Sequence, residues 1–321
     1  MIQGLARFSP EGAGQLGVDG LDEQIIDLKP GFIDRQKQTI KESIQTLQGR
    51  LGPIRAEVEK DLTTAPLLIE GIIQREHLVT LPKRSMRFRL ASEAESARLP
   101  SPYFQQPRLL GNTGQMGEFI LPLRVPSTDK TKPDSANQLD DFTYPAASWT
   151  LTAHEGRPGH ELQFASMIEG GVSQARSIFA ANSVNIEGWG LYSESIVKPY
   201  MPLDGQFISL QFQLLRAARA FLNPELQTGK ITPQQALKIL KEQVGFSDAF
   251  ANQEVERYTF RMSGQATSYF YGYKRLLEVR AQTEKTLGKK FNQQQFHDFI
   301  LSQGLLPPAL LQKAVLDSFV R

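Results

Sequence analysis

Residues 153–161 read Ala153-His154-Glu155-Gly156-Arg157-Pro158-Gly159-His160-Glu161 and hold two of the four histidines of the chain. Imidazole and carboxylate side by side are the donors of nitrogen–oxygen metal sites. Histidines four apart on a helix share one face. The six-residue separation of His154 and His160 instead sets them roughly 240° round and about 9 Å along an unbroken helix. Metal–nitrogen bonds of about 2.0–2.1 Å cannot close that gap. If both rings serve one ion, the helix must break between them. Pro158 has no N–H to offer the His154 carbonyl, and Gly156 and Gly159 flank it with permissive backbone. Two outcomes fit. A two-residue loop-out returns His160 to the position one turn after His154 and serves the metal; the plainer account, without a metal, is a helix that ends, turns at Pro-Gly and restarts at His160. With both rings on one ion, Glu155 is placed to activate water, as the glutamate between two helix-borne zinc ligands does.

The composition narrows the chemistry further. With no cysteine in 321 residues, thiolate metal sites, disulfides and cysteine nucleophiles are excluded, and any metal is held by nitrogen and oxygen. Lys and Arg total 36 against 34 Asp and Glu, and no long run of one sign occurs, which argues against a nucleic-acid partner. A hydrophobic share of 40% with 22% charged residues belongs to a globular chain with a buried core. The opening MIQGLARFSPEGAGQLG has neither the basic end nor the apolar run of a signal peptide, and no uncharged stretch is long enough to span a membrane. The expectation is a cytoplasmic protein without a membrane partner.

Along the chain, residues 10–30 read as an irregular lead-in. Helical periodicity runs from about Pro30 to His77, where Ile40, Ile44, Leu47 and Leu51 are in step and Gly52-Pro53 breaks the run into a helical pair. Three short β-prone pieces follow, at residues 78–81, 86–90 and 118–121, and suit a small sheet. Residues 126–141 read as a polar loop. From Tyr144 onward the pattern is helical. Phe207, Leu210, Leu214, Ala217 and Phe221 form an apolar stripe, Thr232-Pro233-Gln234-Gln235 is a capping box with proline at the first helical position, and helical segments cover 248–261, 264–287, 292–303 and 307–320. The fold class is mainly α with a small β-sheet, divided into a helical lead-in, 1–77, and a core, 78–321.

A second motif spans Asn182-Ser183-Val184-Asn185-Ile186-Glu187-Gly188-Trp189-Gly190-Leu191-Tyr192-Ser193-Glu194. Glu187 and Glu194 share a helix face two turns apart, so one could bind metal while the other holds a ligand histidine or a helix end. A solvated acidic stripe is the plainer account of the same pair. Gly188 and Gly190 each cost about 1 kcal/mol against alanine in a helix, which points to close approach of another backbone.

These two motifs are followed by Glu256-Arg257-Tyr258, Ser263-Gly264-Gln265-Ala266, Tyr269, Gly272 and Phe296-His297-Asp298. In that order they resemble the signatures of a bacterial family of unknown function, over about residues 78–321, and residues 9–50 resemble the family's beginning. The family is similar to the gluzincin metallopeptidases, mainly helical zinc enzymes with a glutamate as third ligand. The resemblance implies a zincin-like helical metallopeptidase core with zinc as cofactor, held by His154, His160 and Glu187. The chain departs from the family pattern in two ways. Glu161 and Arg157 stand where members commonly carry a second histidine and an aromatic residue, and the helical region between lead-in and sheet, a wall of the substrate cleft, is largely missing. If that second histidine is a ligand in the family, Glu161 replaces it as an oxygen donor.

The expected activity is zinc-dependent hydrolysis of a peptide or other amide bond. Glu155 would activate water, and Tyr258 or Tyr269 would donate to the oxyanion. Arg157, Glu161, Glu194, Arg257, Gln265 and His297 are expected to support ligands or meet substrate. Arg157 could meet a substrate carboxylate or pair with Glu161, and His297 could equally be a capping or core residue. Trp149 and Trp189 are expected to pack on each other's helices, His77 lies at the surface, and segment 117–124 is a candidate edge strand for an extended peptide. Two rivals stand beside this reading. One is a catalytically inactive zincin-like scaffold that binds a peptide or partner; the other is a metal-free enzyme using Glu155, Glu161 or Glu194 as a carboxylate pair.

Overall fold

The computed structural model describes residues 64–99, 101–122 and 145–320, together with Arg35 and Gln38. The irregular lead-in, the break at Gly52-Pro53 and the polar loop 126–141 lie outside the described residues. The chain divides into two units, 1–57 and 58–321, and the second is described here.

Helix α1, residues 64–75, buries Ala65, Ile69, Ile72 and Ile73, one face of a 3.6-residue period. The strand expected at 78–81 does not form. Leu78 and Val79 are buried in the same core as α1, and side chains take the backbone groups that a neighbouring strand would take. The Thr80 N–H donates to Asp298 at 2.9 Å and the Leu78 carbonyl accepts from His297 Nδ1 at 2.5 Å.

Three strands form the sheet: β1 (Arg87–Leu90), β2 (Tyr103–Gln105) and β3 (Glu118–Leu121), with the short helix α2 (Glu93–Arg98) between β1 and β2. The order is β1-β3-β2, with β1 parallel and β2 antiparallel to β3. β3 is therefore the central strand, and segment 117–124 offers no free edge for a peptide. Its run Phe119-Ile120-Leu121 is wholly buried, as a strand paired on both sides should be. β2 is the edge strand that faces the cleft described below.

The rest is helical: α3 (Pro145–Glu155), α4 (His160–Glu169), α5 (Ser183–Val197), α6 (Leu203–Gln227), α7 (Pro233–Glu242), α8 (Asp248–Glu256), α9 (Thr267–Leu287), α10 (Gln293–Ser302) and α11 (Pro308–Ala314). α8 runs on into a π-helical turn, Arg257–Arg261. The capping box forms as expected, Thr232 accepting from the Gln235 N–H with Pro233 at the start of α7. Among the described residues, no helix is long and apolar enough to cross a membrane.

α6 turns the opposite way from its apolar stripe. Phe207 is 68% exposed and Leu210, Leu214 and Phe221 are also exposed, while Phe212, Leu215, Ala218 and Leu222 are buried. Arg216 and Arg219 fix the choice. Both are buried on the inner face against the carboxylates of Glu194 and Glu254, and an unpaired charge there would be costly.

α5 and α9 touch through their glycines. A Cβ on Gly188 would lie 2.6 Å from the Gly272 backbone, and one on Gly272 would lie 2.0 Å from the Val184 carbonyl oxygen. On the far side of α5, Arg280 donates to the Tyr192 hydroxyl at 2.7 Å, and that hydroxyl meets His297 Nε2 at 2.7 Å. Neutral His297 completes the chain, accepting from Tyr192 and donating to Leu78. Burial pushes its imidazole down to about 4. Above pH 6.5 the ring is neutral whether the chain is folded or not. Below it the unfolded chain takes up the proton first, so stability falls as pH drops toward 4. Between pH 7 and 4.5 His297→Gln should lose about 2 kcal/mol less than the parent, read from urea midpoints at both pH values. Equal losses would mean that His297 does not titrate in this way.

Candidate metal centre

The break between the histidines takes the second of the two expected forms. α3 ends at Glu155, residues 156–159 turn, and a new helix starts at His160 with Gly159 as its N-cap. Glycine is required at 159, because a Cβ would lie 1.9 Å from the His154 carbonyl oxygen. The Trp189 indole N–H donates to the Pro158 carbonyl at 2.9 Å and ties the turn to α5. Trp189 thus reaches from the second motif to the first, while Trp149 lies against Gly205 of α6. The turn brings the two imidazoles together, with ring centroids 4.7 Å apart.

α5 lies across this turn. Glu187 Oε2 is 3.4 Å from His154 Nε2 and 3.5 Å from His160 Nε2. Both distances are long for a hydrogen bond, but two ligands on tetrahedral zinc at about 2.0–2.1 Å lie about 3.3–3.4 Å apart. His154, Glu155 and His160 also bring one donor atom each within 4.8 Å of one another, a looser grouping. Glu187 thus stands close to both Nε2 atoms, beside the His154, Glu155 and His160 donors that could hold a metal ion. Burial alone would raise the Glu187 carboxyl, but the two imidazoles hold it well below its ordinary value. Burial would likewise lower His154, but Glu187 and Glu194 raise it to about 9. A cation at the Nε2 atoms would take the place of that proton.

Behind the rings, Glu194 is fully buried and accepts from His154 Nδ1 at 2.7 Å, from the Thr150 hydroxyl at 2.8 Å and from Arg216 at 3.1 Å. Once the ring gives up its second proton, this bond keeps the remaining one on Nδ1 and leaves His154 Nε2 as a lone-pair donor. Among the described residues His160 Nδ1 has no hydrogen-bond partner, so none of them gives that ring equivalent support. Gly190 makes room for His154, since a Cβ there would lie 2.6 Å from the ring. Gly190→Ala should therefore fold, displace the ring and weaken zinc binding by about tenfold or more, measured by competition with a chromophoric chelator. Unchanged affinity would remove His154 from the ligand set.

Glu155 lines the cleft beside the rings, and burial pushes its carboxyl up. Gln265 donates to Glu187 Oε1 at 3.1 Å and accepts from Arg257, so it steadies the glutamate as Glu194 steadies the histidine. Tyr269 lines the cleft, stacks on the His154 ring at 6.1 Å, and its hydroxyl accepts from Arg257 at 3.0 Å. Its own hydroxyl hydrogen is left for another acceptor. Tyr258 does not share the site. Its fully buried hydroxyl donates to Glu254 at 2.6 Å, which removes it as an oxyanion donor.

Four further residues stand away from the site. Arg157 is buried and pairs with Glu161 at 2.6 Å and Glu70 at 2.9 Å, so neither Arg157 nor Glu161 faces the cleft and Glu161 is not an oxygen ligand. The pair instead clips α4 to α1. His297 lies in the core against Trp189 and Tyr192, and His77 is exposed.

The cleft over the site has a volume of about 410 Å³. Phe104 of β2, Phe164 and Ile186 form an apolar wall beside His160, and Arg216, Arg219 and Arg257 line the cleft from α6 and the π-helical turn. Arg216, Arg219, Glu254 and Thr150 were not anticipated. The run Arg216-Ala-Ala-Arg219 within α6 was the available signal, two charges one turn apart among small residues.

A family of bacterial proteins of unknown function, DUF885, matches residues 54–315. No curated protein matches the chain. Solved structures of similar fold include two putative lipoproteins. A putative lipoprotein from Colwellia psychrerythraea superposes with a TM-score of 0.68 at 25% identity, covering 83% of this chain and 43% of its own. A putative lipoprotein of unknown function from Shewanella oneidensis superposes with a TM-score of 0.64 at 24% identity, covering 82% and 45%. The chain thus spans less than half the length of either.

Proposed function

Since the chain belongs to this bacterial family of unknown function, we propose from the site itself that it is a zinc-dependent hydrolase of peptide or other amide bonds, built on a gluzincin-like core. The observation that carries this is Glu187 Oε2, set 3.4 and 3.5 Å from the Nε2 atoms of two histidines whose rings only a broken helix could bring together. His154, His160 and Glu187 would hold the metal, and zinc in that place supplies Lewis-acid polarisation of a carbonyl and acidifies water.

The remaining work belongs to side chains. Glu155 takes the proton of the attacking water and passes it to the leaving amine. Tyr269, its oxygen already engaged by Arg257, donates its hydrogen to the substrate carbonyl oxygen as charge develops there. Glu194 and Gln265 keep the histidine and the glutamate in place, and Phe104 and Phe164 exclude water from one side of the cleft.

The test is turnover of an amide library by the zinc-loaded protein. Cleavage that stops on chelation and returns with zinc supports the hydrolase. Bound zinc without cleavage of any amide would leave the inactive, peptide- or partner-binding reading, and cleavage by protein free of metal would favour a carboxylate pair. The two similar solved structures are described as putative lipoproteins, so we place the protein at the cell envelope in preference to the cytoplasm, and fractionation of cells with an antibody to the chain separates the two.

A further inference from the structure

We infer that the cleft takes short amides bearing a carboxylate about one residue from the bond that is cut, and that Arg257 is the anchor for that carboxylate. The inference rests on the hydrolase reading for the bond cleaved, but not for the recognition of the anion.

The three arginines Arg216, Arg219 and Arg257 of the cleft wall are not equally paired. Arg216 is matched by Glu194 at 3.1 Å. Arg219 holds Glu254 through two bonds of 2.6 and 2.8 Å. Arg257 reaches the same carboxylate only at 3.5 Å, and its other partners, Gln265 and the Tyr269 hydroxyl, are neutral. Among the described residues Arg219 and Arg257 thus share the Glu254 carboxylate, and Arg219 holds it far more closely. Arg257 is the member that can be reached, since its side chain is 19% exposed against 7% for Arg219, and it lines the cleft. A guanidinium held by neutral acceptors in a poorly solvated wall meets a carboxylate through charge-assisted hydrogen bonds.

Size and shape narrow the ligand further. A cleft of about 410 Å³ lies toward the lower end of the roughly 300–1,000 Å³ range of small-ligand sites, too small for a long stretch of peptide. Arg257 is bonded to Tyr269, which stacks on His154, so an anion at the guanidinium lies about one residue from the metal site. The apolar wall of Phe104 and Phe164 stands beside the other histidine. An N-acylated amino acid with an apolar side chain, or a dipeptide, fits this arrangement of charge and surface.

The test compares N-acetylphenylalanine with N-acetylphenylalaninamide, which differ only in the carboxylate, by calorimetry on the intact chain stripped of metal so that no ion can bind the anion. The acid should bind tighter by about tenfold or more, the worth of one hydrogen bond between charged groups. Arg257→Gln should close the gap and Arg257→Lys should keep part of it, with circular dichroism reporting the fold. Equal binding of acid and amide to the parent, binding of neither, or a gap that survives Arg257→Gln in folded protein overturns the inference. A preference for the acid in a protein that never takes up zinc would keep the carboxylate site and discard the hydrolase. Zinc-dependent turnover without that preference would do the reverse.

Discussion

Glu155→Gln should keep its zinc and its fold and lose at least about a hundredfold in turnover of any amide the parent cleaves, because general-base help contributes about 10²–10⁴-fold. Glutamine has the same shape and cannot take a proton. The geometry makes the loss specific to chemistry. Glu155 closes α3 directly after His154 and lines the cleft, yet the carboxylate that faces the Nε2 atoms of both imidazoles is Glu187, at 3.4 and 3.5 Å. Removing its charge should therefore leave the metal in place while the proton has no carrier. A variant as fast as the parent would show that another group, such as Glu254 in the cleft wall, does that work.

Glu187→Gln should weaken zinc binding by more than about a hundredfold, and Glu194→Gln by about ten- to a hundredfold, the range found when a partner behind a ligand is changed. The order matters more than either size. Glu187 faces both Nε2 atoms with one oxygen, whereas Glu194 touches only Nδ1 of His154, on the side turned away. Glutamine at 194 can still accept from the ring, but it leaves Arg216 buried without its charge partner, so this variant should also be less stable. Competition with a chelator measures both affinities. If Glu194→Gln proved the more damaging to zinc, the roles of the two glutamates would be exchanged.

Much of the site was legible because its constraints are local. Pro158 and two glycines between His154 and His160 announce a broken helix, and Gly188 with Gly190 announce close neighbours, which prove to be the Gly272 backbone and the His154 ring. Which form the break takes was not legible. A loop-out and a restarted helix satisfy the same local backbone rules, and the choice depends on Trp189 holding the Pro158 carbonyl from another helix.

What failed was long-range. The stripe of Phe207, Leu210, Leu214 and Phe221 has the right period for a core face, yet Arg216 and Arg219 claim the inside because their carboxylates wait on α5 and α8. Tyr258 and Tyr269 looked equivalent in sequence. They part because the π-helical turn and the turn before α9 aim one at Glu254 and the other at the cleft. The central place of β3 could have been read from its unbroken apolar run, where an edge strand open to solvent would alternate. Arg157 and Glu161, set apart by their departure from the family pattern, pair with each other, an outcome their spacing of one helical turn allowed.

Zinc itself is the most direct test of the account. Elemental analysis of the unmodified chain, purified without a histidine tag and dialysed after zinc supplementation, should find about one zinc per chain for a site of three protein ligands with an open fourth position. His154→Ala treated in the same way should hold almost none. Near-zero zinc in the unmodified protein, with a circular dichroism spectrum showing it folded, would contradict the account at its centre.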